Sequence, residues 1–127
     1  MPSRPLSPHL SVYKFKYTLA TSSLNRITGA GLSLAFLALC GWLMAVAGGA
    51  AAQARAQRLL ALPLTKLCFA VLIFAFCYHL VAGLRHLVWD TGRGLERAQA
   101  RASAWVVVCV SVLLSVAFAW LLWGRPA

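Results

Sequence analysis

Three apolar stretches, at about 27–47, 63–88 and 103–123, constrain this chain more than any other feature. Each is long enough to cross a bilayer as a helix, which takes about 20 residues. Inside lipid every backbone N–H and C=O must be paired within its own segment, so such stretches fold as helices. The balance of residues agrees: 61% are hydrophobic and 11% charged, against about a quarter charged in soluble domains. At 127 residues the chain has room for one domain. The expected fold is all-α, an integral membrane protein with three transmembrane helices over residues 27–127. A polar N-terminal segment, 1–26, precedes them.

The formal net charge of +10 does not point to nucleic acid, because the basic residues form no solvated patch. They flank the apolar spans, as topogenic charges at a membrane surface do. With the N-terminus inside, the inner side holds Arg4, Lys14, Lys16, Arg26, Arg93, Arg97 and Arg101. The outer side holds Arg55, Arg58, Lys66 and Arg125. This excess predicts a cytoplasmic N-terminus and a periplasmic C-terminus.

Four cysteines, Cys40, Cys68, Cys77 and Cys109, all fall within the spans. None has zinc-ligand spacing, and no Cys-x-x-Cys-His is present to attach a haem covalently. They read as small apolar side chains. The first span starts too far in and runs too long to be the core of a secretory leader. With no Arg- and Ser-rich presequence ahead of Arg4, the expectation is a bacterial inner-membrane protein.

Along the chain, Pro2, Pro5 and Pro8 oppose a regular helix at the start. Val12, Tyr13, Phe15 and Tyr17, with Lys14 and Lys16 between them, suit an interfacial segment touching lipid headgroups. Thr21 or Ser22 is expected to cap the first helix. Gly48 to Leu62 reads as a connector, Pro63 as the first turn of the second helix, and Thr91-Gly92-Arg93-Gly94 as its end. A basic, partly helical loop from Arg93 to Arg101 leads to the third span, framed by Trp105, Trp120 and Trp123.

The second span ends in chemistry. His79, Gly83, His86 and Asp90 fall at i, i+4, i+7 and i+11, one stripe along one helix face. A histidine about four turns into an apolar helix must hydrogen-bond or bind something. Two readings stand on spacing alone: a histidine satisfied by a neighbouring helix, or a ligand to a non-covalent, b-type haem. On the second reading His79 holds the iron, Gly83 leaves room for the porphyrin edge, and Arg85 and His86 lie where the propionates end. A second axial ligand would then come from another subunit.

Ser22 and Arg26 share a face at i, i+4, beside Asn25. Arg26 reads either as a topology anchor or as a donor, with Ser22, to a quinone oxygen as charge develops on it. Asp90 reads either as a proton relay or as an ion-pair partner of Arg85, Arg26 or a residue of a partner chain.

Three motifs in order carry a resemblance. Arg4-Pro5-Leu6-Ser7-Pro8-His9-Leu10-Ser11-Val12-Tyr13, Ser22-Ser23-Leu24-Asn25-Arg26-Ile27-Thr28-Gly29 and His79-Leu80-Val81-Ala82-Gly83-Leu84-Arg85-His86-Leu87-Val88-Trp89-Asp90 resemble the signatures of the cytochrome b anchor subunits of succinate dehydrogenase, respiratory complex II. The resemblance covers nearly the whole chain. It implies a helical bundle completed by a second small anchor subunit, in a complex with an iron–sulfur subunit and a flavoprotein, embedded in lipid. It implies one haem b shared with the sister subunit, His79 matching the axial ligand and His86 the propionate-side histidine. Ser22 and Arg26 match the quinone-site residues, with ubiquinone as bound substrate. Asn25 departs from the family, which usually has histidine there; an amide hydrogen-bonds but cannot carry a proton near neutral pH. The alternatives are a quinol-oxidising fumarate reductase anchor and a non-redox membrane scaffold or transporter component.

Overall fold

The computed structural model describes residues 17–124, which form four helices: α1 (Tyr17–Ala47), α2 (Ala50–Leu60), α3 (Pro63–Asp90) and α4 (Arg97–Trp123). The expected interfacial residues Val12 to Lys16, and Arg125, lie outside the described residues. The helices α1, α3 and α4, of 31, 28 and 27 residues, are each long and apolar enough to cross a membrane. This is a multi-pass, all-helical membrane protein.

Helix ends follow local chemistry. Leu62, extended as a residue before proline should be, leads into Pro63 in the first turn of α3. At the other end Thr91 donates its hydroxyl to the Val88 carbonyl at 2.7 Å. Gly92 and Gly94 then turn the chain at φ of 78° and 73°, a region glycine enters without a Cβ penalty. The indole N–H of Trp89 closes this turn on the Gly94 carbonyl at 3.0 Å.

Two expectations need correction. Helix α1 starts at Tyr17, so Thr21 and Ser22 are interior residues and not N-caps. Their stretch has no glycine or proline to break it, and Thr21 donates to the Thr18 carbonyl at 3.0 Å, the back-bonding that admits threonine to a helix. The connector contains α2, because its Ala, Gln, Arg and Leu are good helix formers. The basic loop is helical in part, as expected, from Arg97 onward, with Glu96 extended before the first turn, where a carboxylate is favoured.

Helix α3 packs on both α4 and α1. Its core is Tyr78 and Ala82 with Val107 of α4, surrounded by Leu24, Phe74, Val81 and Val108. Around them the buried residues are mostly small or hydroxylic: Thr21, Thr28, Ala75, Cys77, Ala104 and Ser111. Such residues let helix backbones approach where lipid provides no hydrophobic drive for association. The outward face is the reverse, with Leu34, Met44, Leu64 and Leu113 each more than two-thirds exposed. So large an apolar surface belongs against lipid or another protein.

Candidate functional site

His79 reaches from α3 to α1. Its Nδ1 lies 3.1 Å from the backbone carbonyl of Asn25. A carbonyl only accepts, so Nδ1 carries the proton and donates it, leaving the Nε2 lone pair bare. The ring lies close enough to α1 that a Cβ at Gly29 would stand 2.8 Å from His79 Cε1 and 3.3 Å from Nδ1. Glycine at that position is therefore a requirement of this approach. The Asn25 carbonyl also receives the Thr28 hydroxyl at 3.0 Å, which lies 2.9 Å from the Leu24 carbonyl as well.

Two further observations mark the space around this imidazole. The side-chain oxygen Oδ1 of Asn25 is buried without a hydrogen-bond partner, which leaves a costly unmet acceptor. A Cβ built at Gly83 would meet nothing within 4 Å, so the stripe is open one turn beyond His79. The oriented imidazole and the open space at Gly83 fit a haem. The macrocycle supplies four ligands to its iron, so the protein need provide only an axial imidazole with a free, oriented nitrogen. A carbonyl on the far ring nitrogen is the usual orienting partner of a ligating histidine.

His86 lies on the same face, half-buried, with Nδ1 donating to the Ala82 carbonyl at 2.7 Å in its own helix. Its ring meets Trp89 edge-on, 5.3 Å between centroids. Arg85 points elsewhere. It donates from Nε to Ser103 Oγ at 2.9 Å and from Nη2 to the Ala100 carbonyl at 2.7 Å, and stacks 3.9 Å over Trp89. Its guanidinium thus clasps the start of α4, near His86 only through the shared indole. Asp90 ends the stripe exposed, and the donors of Arg85 are directed to α4.

On α1, Ser22 is half-buried one turn before Asn25, and Arg26 is exposed beside it. Ser22, Asn25 and Gly29 follow at i, i+3 and i+7, so the serine, the carbonyl and the glycine line one face. Sequence reasoning missed three contacts that hold this face to α3 and α4. Tyr78, fully buried, donates its hydroxyl to the Thr21 carbonyl at 2.9 Å. Tyr17 stacks on Trp105 with centroids 4.7 Å apart and donates to the Ala104 carbonyl at 3.4 Å. The third is the seat of His79 on Gly29, whose small size was legible but whose partner, 50 residues away, was not.

Comparison with known proteins gives a consistent set. The family model for the succinate dehydrogenase/fumarate reductase transmembrane subunit matches residues 1–118. The succinate dehydrogenase cytochrome b556 subunit of Paracoccus denitrificans is 40% identical over 114 residues, covering 90% of this chain and 88% of that protein. The subunit of the same name from Rickettsia typhi is 35% identical over 120 residues, 94% and 90% of the two chains. The mitochondrial cytochrome b560 subunit of Sus scrofa is 36% identical over 120 residues, 92% of this chain and 70% of that protein.

Proposed function

The chain belongs to the succinate dehydrogenase/fumarate reductase transmembrane subunit family, and from that premise we propose that it is a membrane-anchor cytochrome b subunit of succinate dehydrogenase. It holds one haem b together with a sister anchor subunit and supplies part of a ubiquinone-reduction site. An iron–sulfur subunit and a flavoprotein complete the complex and carry out succinate oxidation. The membrane is the bacterial cytoplasmic membrane, with Tyr17, Asp90 and Arg97 toward the cytoplasm, where the excess of basic residues lies.

The observation that carries this reading is the His79 imidazole, with Nδ1 engaged by Asn25 and Nε2 bare in an apolar helix. Nε2 would hold the iron, and a haem bound there would supply one-electron redox chemistry. Gly83 leaves room for the ring edge. His86, with its own Nδ1 committed to Ala82, would meet the propionates through Nε2. Arg85 acts there as a positioning residue, holding Trp89 against His86 while it pins α4.

Quinone reduction places charge on the carbonyl oxygens before protons arrive. The exposed guanidinium of Arg26 and the hydroxyl of Ser22 donate hydrogen bonds to one of those oxygens and stabilise that charge. Asp90 stands at the same end of the bundle as a proton relay or as the ion-pair partner of a neighbouring subunit. The matched relatives are succinate dehydrogenase subunits, which supports the quinone-reducing direction over quinol oxidation. Arg26→Leu in the assembled complex should slow quinone reduction about 100-fold, as loss of one charge-stabilising donor typically does, with haem content unchanged. Unaltered quinone kinetics would remove Arg26 from the site.

A further inference from the structure

We infer that the α1 turn from Asn25 to Gly29 sets both the angle and the electron-donating strength of the His79 imidazole, with Gly29 as a positioning residue and Thr28 as a modulator. The inference rests on His79 being the haem ligand, as proposed above. Two independent restraints act on the ring. The Asn25 carbonyl, 3.1 Å from Nδ1, fixes which way that edge points. The bare Cα of Gly29 fixes how close the ring lies to α1, since an added Cβ would fall 2.8, 3.3 and 3.6 Å from Cε1, Nδ1 and Nε2. One carbon at Gly29 therefore displaces the ligating edge itself. Glycine elsewhere on these helices does not have this effect: at Gly31 an added Cβ meets nothing within 4 Å.

Thr28 acts on the same carbonyl. Its hydroxyl proton is shared between the Asn25 oxygen at 3.0 Å and the Leu24 oxygen at 2.9 Å. Each hydrogen bond that oxygen accepts from Thr28 weakens what it accepts from His79. A weaker Nδ1–H···O bond leaves the imidazole less electron-rich, and a less basic axial ligand stabilises the reduced iron. Thr28 thereby holds the potential higher than the carbonyl alone would.

The test uses the assembled, haem-loaded complex with Gly29→Ala, Gly31→Ala and Thr28→Val. It reads haem retained per complex, the ferric haem electron paramagnetic resonance spectrum and the midpoint potential. Gly29→Ala should retain haem about 10-fold less tightly, in line with disturbance of a ligand-orienting partner, or show shifted ferric signals. Gly31→Ala should match the wild type in all three. Thr28→Val keeps the side-chain shape and removes only a within-helix hydroxyl bond, so the complex assembles even where Gly29→Ala does not. Its potential should move negative. Wild-type signals and potential in Gly29→Ala, or an unchanged or more positive potential in Thr28→Val, overturn the inference. Failure of the haem reading is separate: it appears as wild-type complex without haem, or as His79→Leu complex that keeps the wild-type spectrum.

Discussion

The two ends of this bundle are built on different principles. At the end holding Tyr17, Asp90 and Arg97, the helices are tied across by Tyr78 to Thr21, His79 to Asn25, Tyr17 to Ala104 and Arg85 to Ser103 and Ala100. At the other end α1, α2 and α3 surround an apolar cavity of about 700 Å³, lined by residues such as Leu39, Trp42, Cys68, Phe69 and Leu72. The Thr65 hydroxyl on the Leu59 carbonyl, 2.7 Å, ties α3 to the end of α2 there. Both buried residues of α1, Thr21 and Thr28, lie toward the Tyr17 end. In lipid, apolar contact gives helices no net reason to associate, so polar and small residues decide where they hold together. The rigid end is the one that carries the histidine stripe, and orienting a ligand requires rigidity.

This contrast ranks substitutions by where they fall. Tyr78→Ala removes the only fully buried aromatic ring among the described residues and its tie to Thr21. It should destabilise the subunit by about 3–5 kcal/mol, read as a lower midpoint in denaturant titration of the detergent-solubilised complex. Arg85→Gln breaks the clasp on α4 and the stack on Trp89, and should cost about 1.5–3 kcal/mol by the same measurement. Phe69→Ala, at the cavity end and 42% exposed, should change stability by about 0.5 kcal/mol or less. An equal loss for Phe69→Ala and Tyr78→Ala would break the distinction between the two ends.

Much of this architecture was legible before any coordinates. The spans announce themselves because lipid demands length and apolarity, and both are local properties. His79 stood out because an imidazole in an apolar helix has to be satisfied. Ser22, Asn25 and Arg26 could be put at its end of the bundle from the distribution of basic residues. The start of α1 was misjudged because hydroxylic residues suit both caps and helix interiors, and only their partners tell which. Helix α2 was missed because its signal is propensity alone, without an apolar face long enough to read. The direction of Arg85 and the seat of His79 on Gly29 depend on which helices neighbour each other. No periodicity within one segment encodes that.

The central claim is that His79, and not His86, presents the iron ligand. Optical difference spectra, dithionite-reduced minus oxidised, of the assembled complex carrying His79→Leu or His86→Leu test it directly. The account predicts that His79→Leu loses or alters the b-type α band, while His86→Leu retains an iron-ligated band. A wild-type band in His79→Leu, or its loss in His86→Leu alone, would contradict it.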